Sequence, residues 1–225
     1  MGLFHPSSEA RYEEAARAIA PYGFVTDPAR ASLLRNFQPL AELSEPDHYK
    51  IAAFGRIEDA DVAAFEYAYS YKDSEGRSHS STRLVIVVAH PMIAGSASLS
   101  PDGREWDAFQ GVLDVIFWIP PFTFLKAIQL LNESRNPDIV VGHAEFDRLY
   151  LVHAASEAAA REAFTAELRD LLPRIGFRGT LELRPGYLLF TVHGARFDEQ
   201  TLPNALGHVA PLLAALVRPD DYPYR

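Results

Sequence analysis

Seven consecutive residues, Phe65-Glu66-Tyr67-Ala68-Tyr69-Ser70-Tyr71, alternate aromatic rings with small or polar side chains. A pleated strand sends every second side chain to the same face, so a spacing of two puts all four rings on one side. A helix would scatter them around its circumference. A polar stretch containing Gly76 follows, Lys72 to Ser80, and then the apolar run Leu84 to Ala89. This order predicts a long antiparallel hairpin, Val62–Lys72 with Ser81–His90. In the returning strand Leu84, Ile86 and Val88 lie on one face and Val85, Val87 and Ala89 on the other. Two apolar faces place that strand near the middle of a sheet that is covered on both sides.

The same reading extends along the chain. Ser8 to Ala20 carries Tyr12, Ala15, Ala16 and Ile19 at helical spacing, and Pro21 and Gly23 end it. A second short helix is predicted over 29–37, with a loop over 39–47, and Tyr49–Ile57 reads as a strand before the acidic turn Glu58–Asp61. Ser96 to Leu99 is a short strand. Ile139–Val141 and Arg148–His153 read as strands, and Ser156 to Leu172 as one helix capped by Ser156. Arg178–Arg184 and Tyr187–His193 alternate around Pro185-Gly186, a hairpin turn, and a last helix opens at Asp198 or Thr201 and runs to Leu216. Strands followed by a helix, a hairpin and a helix define an α+β class: an antiparallel sheet with a long hairpin and helices packed on it. The chain reads as a single α+β domain over 1–225, or as two subdomains, 1–105 and 106–225.

A chain of 225 residues is long enough to bury a proper core. Thirty acidic against 21 basic residues give a net charge of −9, which repels a phosphate backbone, so nucleic acid is not an expected partner. The absence of cysteine removes disulfides, thiolate metal sites and a cysteine nucleophile. The first residues, Met1 to Glu14, lack the basic start and apolar stretch of a secretory signal, and a cytoplasmic location is the expectation. Residues 106–131 are the most apolar part of the chain. As a membrane span they would bury Asp114 and Lys126, with Pro120-Pro121 in the middle, so a buried element packed on the sheet is the better reading. The second reading of 112–125 is an interface, through Phe117, Trp118 and Phe122, for a protein partner or a membrane surface.

The sharpest candidate chemistry is His143, Glu145 and Asp147. In an extended segment the three share one face, and an imidazole with two carboxylates can hold a divalent metal or move a proton. The competing reading is a solvated strand face whose other side buries Phe146. The zinc deaminase signature that His-x-Glu begins needs a Cys-x-x-Cys partner, which a cysteine-free chain lacks. Gly95-Ser96-Ala97-Ser98 does not form Gly-x-Ser-x-Gly, and no glycine-rich phosphate loop occurs, so no cofactor is expected. His153 and His193, each ending a strand, are a minor candidate for a pH-responsive pair. The aromatic stripe itself reads as core rather than as a stacking platform, since Lys72, Arg77 and Arg83 are the basic residues close by.

The Phe-x-Tyr-x-Tyr strand, the polar turn and the strand ending before Pro91, together with Glu133-Ser134 and the block Glu145-Phe146-Asp147, Tyr150 and Val152, resemble a bacterial family of domains of unknown function. In that family the second block reads Glu-Ser-x-Glu-Phe-Asn/Asp-x-x-Phe/Tyr-x-Val; here an insertion separates Glu133-Ser134 from Glu145. The resemblance covers roughly residues 50 to 215 and brings no catalytic residue with it. The sequence therefore leads to a non-enzymatic binding or scaffolding module. The alternative is a metal-dependent enzyme or metal binder using 143–147.

Overall fold

The structure, a computed structural model, describes residues 8–27, 49–72, 78–102, 139–192 and 195–217. The helix over 29–37, the loop over 39–47, the apolar segment with Phe117, Trp118 and Phe122, and His193 lie outside the described residues.

The chain begins with α1 (Ser8–Ile19), which buries Ala15 and Ile19. A 3₁₀ turn over Ala20–Tyr22 ends it, with Gly23 at a φ of 73° and its N–H donated to Ala20 O. The short strand β1 (Val25–Thr26) then leads to β2 (Tyr49–Ile57) and β3 (Ala60–Lys72), and β4 (Ser78–Ala89) returns beside β3. The predicted hairpin is therefore present: its strands start two and three residues earlier than expected, and the second ends at Ala89 rather than His90. Its register runs unbroken from Asp61 opposite Ala89 to Lys72 opposite Ser78.

Four shorter strands follow: β5 (Ala97–Pro101), β6 (Tyr150–Ala154), β7 (Leu181–Arg184) and β8 (Tyr187–Thr191). Among the described residues they complete one antiparallel sheet of order β1-β2-β3-β4-β8-β7-β5-β6. The C-terminal hairpin β7–β8 is thus inserted between β4 and β5, so that β5 lies between two strands from beyond residue 105.

Strand alternation sorts the core. Val62 and Ala64 of β3, Leu84, Ile86 and Val88 of β4, and Leu188 and Phe190 of β8 join a single apolar cluster with the helices. The opposite face is covered as well: Ala52, Phe65, Val85, Val87 and Leu189 are all buried. The ring of Phe65, which opens the aromatic stripe, therefore points away from the helix layer. Its neighbour Glu66 points into that layer; the residue is 1% exposed, and Oε2 accepts from Phe197 N–H at 3.3 Å.

The helices depart from the sequence reading in three places. Residues 144–149, expected as loop and strand, form the one-and-a-half-turn helix α2 (Ala144–Leu149), and Ile139 gives β6 a single backbone bond, to Val152 O, rather than a strand. The helix expected over 156–172 is two: α3 (Glu157–Ala163) and α4 (Ala166–Arg174). Thr165 causes the break, because its Oγ1 accepts from Leu168 N–H and donates to Ala215 O, capping a new helix and tying it to the chain's last one. The last helix is likewise divided at His208 into α5 (Thr201–Gly207) and α6 (Val209–Leu216). Helix α4 closes with Gly176 N–H on Pro173 O and Phe177 N–H on Leu172 O, the paired bonds of a left-handed glycine cap. No helix among the described residues is long and apolar enough to cross a membrane.

Candidate functional site

The segment entering α2 is organised by one carboxylate. Asp147 Oδ1 accepts from Val141 N–H at 2.9 Å, and Oδ2 accepts from Gly142 N–H at 2.9 Å and His143 N–H at 2.8 Å. Gly142 takes a φ of 83°, which turns its N–H toward the same oxygen as its neighbour's. His143 is the N-cap of α2: Nδ1 accepts from Phe146 N–H at 3.1 Å. Nδ1 is thereby an acceptor, which puts the proton on Nε2, 2.8 Å from Asp170 Oδ1 of α4. The cap is secured from below by Phe146, fully buried and in ring contact with Tyr150 and Phe164. Tyr150 is itself buried and donates to Phe177 O at 2.8 Å; burial foremost, then the nearby Glu145 charge, pushes its phenol well above the usual range.

The expectation that His143, Glu145 and Asp147 share a strand face is therefore corrected. In a helix, residues two apart point about 200° apart, so Glu145 turns away from the side that His143 and Asp147, four apart, share. His143 caps, Asp147 folds back on the backbone, and Glu145 is exposed. Among the described residues no three acidic or histidine side chains are grouped so as to hold a metal ion.

The structure gathers a different set of side chains on the far side of this segment. A cleft of about 460 Å³ lies between the turn after β4, helices α3 and α4, and the end of α6, lined by Met92, Ala94, Arg161, Glu162, Thr165, Ala166, Arg169 and Leu216. Gly95, at a φ of 89°, packs its backbone against Ala163, where an added Cβ would come within 3.0 Å of the alanine Cβ. Arg169 joins the cleft to the α2 segment by donating from Nη1 to Val141 O at 3.0 Å. No sequence pattern marks this cleft: its arginines stand among the Ala and Glu residues of an ordinary amphipathic helix. The one legible hint was Thr165, a capping residue inside a run otherwise read as one helix.

Of the other histidines, His90 is buried and ties three turns together. Its backbone N–H donates to Gly186 O, Nδ1 accepts from Met92 N–H, and Nε2 meets Asp59 Oδ2 at 3.2 Å. His153 is buried in β6, opposite Ser98. His208 packs edge-on against Phe177, and burial lowers its pKa.

The fold so described is an α+β antiparallel sheet with helices packed on it. No family model matches the chain and no curated protein matches it, in keeping with the resemblance to an uncharacterised family. Among solved structures, the crystal structure of the mycobacterial trehalose monomycolate transport factor A, TtfA, is similar. The likeness spans 92% of this chain and 96% of that one, with a TM-score of 0.53 and 14% identity. At that identity the likeness is one of fold.

Proposed function

We propose that this protein is a non-enzymatic binding module acting in a transport process, and that it holds its ligand or partner at the cleft between α3, α4 and α6. The observation that carries this reading is how the polar side chains of the region are used. His143 and Asp147, the groups best suited to acid–base work, direct their acceptor atoms to the chain's own backbone N–H groups. A general base must instead offer an acceptor to a substrate proton. What the region presents outward is an open depression in which Met92, Ala94 and Leu216 lie beside Arg161, Glu162 and Arg169. The similarity of fold to a transport factor, nearly end to end in both chains, supports the same direction.

The test places a photo-crosslinking residue at Glu162, on the cleft, and at Arg56, on an exposed strand position well away from it, in cells of the native host. A discrete adduct from position 162 and none from position 56 is expected. Reproducible turnover of an ester, phosphoester or glycoside by the purified protein, abolished by His143→Ala, would overturn the proposal.

A further inference from the structure

The turn between β2 and β3 holds the one non-glycine residue with a positive φ among the described residues. Glu58 sits at a φ of 54°, exposed, in a two-residue loop closed by Ile57 opposite Ala60. Left-handed loop positions favour Gly, Asn or Asp, because a longer side chain crowds its own backbone there. Glu58 therefore stores strain, and strained residues of this kind cluster at clamps and switches.

The residue after it pins the loop. Asp59 Oδ2 lies 3.2 Å from His90 Nε2, and exposed Arg56 donates from Nη2 to Asp59 O at 3.1 Å. The two ends of the side-chain contact are unequal: the His90 side chain is 3% exposed and that of Asp59 is 52%. The carboxylate can trade the imidazole for water at little cost, whereas the buried imidazole N–H loses its acceptor if the carboxylate leaves. Strain and solvent thus pull the loop open, and the buried N–H pulls it shut.

The imidazole carries the state of this loop to the cleft. Its Nδ1 accepts from Met92 N–H at 3.2 Å, so its proton resides on Nε2, and Asp59 is the acceptor that keeps it there. With Asp59 withdrawn, the proton can pass through solvent to Nδ1, where it meets Met92 N–H donor against donor. Met92 and Ala94 line the cleft, so the wall they form then loses a tie. We infer that Glu58, Asp59 and His90 form a strained latch on the wall of the cleft nearest β4. Closed, the Nε2–H tautomer holds Met92; open, the tautomer changes and the wall is released. This rests on the cleft being the binding place and gives that site its regulation. A partner that draws Asp59 away loosens the wall, and an occupant bearing on Met92 is felt in return at Glu58 and Asp59.

The test is NMR on the whole protein at neutral pH, with imidazole nitrogen shifts reading the tautomer and relaxation dispersion reading the exchange. The amides of Glu58, Asp59 and Met92 should share one exchange process on the microsecond-to-millisecond scale, with an open state of roughly 0.1–10%. Glu58→Asn, which tolerates the left-handed region without glycine's freedom, should lower that population by about threefold or more. Asp59→Ala should raise the Nδ1–H form of His90 and shift the Met92 and Ala94 amides. Asp59→Asn, whose oxygen still accepts, should keep both as in the native protein. With the crosslinker at position 162, the adduct yield should fall by about threefold or more in Asp59→Ala and hold in Asp59→Asn. Exchange confined to one of the two turns, a Met92 amide indifferent to Asp59→Ala, or a yield indifferent to it, would refute the inference. No adduct from position 162 in the otherwise native chain, with the two turns still coupled by NMR, would withdraw the binding reading and leave the latch standing.

Discussion

Replacing Asp147 by Asn separates the structural role of this carboxylate from a catalytic or metal-binding one. The side chain now accepts three backbone N–H bonds at 2.8 to 2.9 Å. An amide of the same shape keeps one oxygen for Gly142 and His143 but turns an NH₂ toward Val141 N–H, donor against donor. Taking hydrogen bonds to a charged acceptor at the lower end of their range, about 1.5 kcal/mol each, and neutral ones at about 1 kcal/mol, the loss comes to roughly 2–3 kcal/mol. For a chain of this size that is a fall in Tm of roughly 5–10 °C. Urea unfolding followed by circular dichroism reads the free energy, and native-state hydrogen exchange should show protection lost first at Val141, Gly142 and His143. Asp170→Asn removes an exposed partner of His143 and is the control, expected to cost less than about 1 kcal/mol. An Asp147→Asn protein within about 0.5 kcal/mol of the native one, with exchange at 141–143 unaltered, would show that the carboxylate does not hold this turn.

Three further outcomes follow from single residues. Gly179→Ala would place a Cβ 1.6 Å from Thr191 O, forcing apart the base of the β7–β8 hairpin, where Thr191 N–H bonds Thr180 O; a loss of about 3 kcal/mol or more is expected in urea melts, against about 1 kcal/mol for Gly176→Ala, whose Cβ meets nothing. His208, whose pKa burial lowers, binds protons more readily unfolded than folded. Its contribution is therefore intact above its ordinary pKa of 6.5 and is lost as pH falls below that value toward the lowered folded one. Melts at pH 7.5 and 5.5 should show a smaller acid penalty in His208→Asn, and an equal penalty would contradict the assignment. Divalent cations should leave the melting curve in place in both the native protein and Glu145→Ala; a rise in the first that vanishes in the second would restore the 143–147 segment as a metal site.

The sheet was legible because period-two alternation survives in its longest members. Phe65 to Tyr71 and Leu84 to Ala89 marked β3 and β4, and Pro185-Gly186 marked the turn between β7 and β8. The short helix α2 was hidden for a specific reason: its cap is a histidine, outside the usual Ser, Thr, Asp and Asn set, and its six residues are too few to express a helical period. The same brevity made His143, Glu145 and Asp147 look like one face of a strand. Helices α3 and α4 read as one because Ala-rich sequence favours continuation, and the Thr165 cap together with its tertiary bond to Ala215 O decides for a break. Glu66 reads as a polar spacer in an aromatic stripe, since nothing local announces that its side of the strand faces the helices. The cleft is assembled from three distant stretches, and no periodicity brings Met92, Arg161 and Leu216 together.

The position of β7–β8 between β4 and β5 also bears on how the protein is made. The β2–β3–β4 meander can pair as soon as it leaves the ribosome, but the outer edge of β4, from Val85 to Ala89, has no neighbour until Leu181–Thr191 has been synthesised. Throughout that interval the chain carries an open row of backbone donors and acceptors flanked by Val, Ile and Leu side chains, the kind of edge on which strands of other molecules add. Joining Ile86 to Phe190 is a long-range closure, and such closures are slow. The sheet's middle is completed last, so the hairpin that supplies it acts as the fold's own guard against self-association.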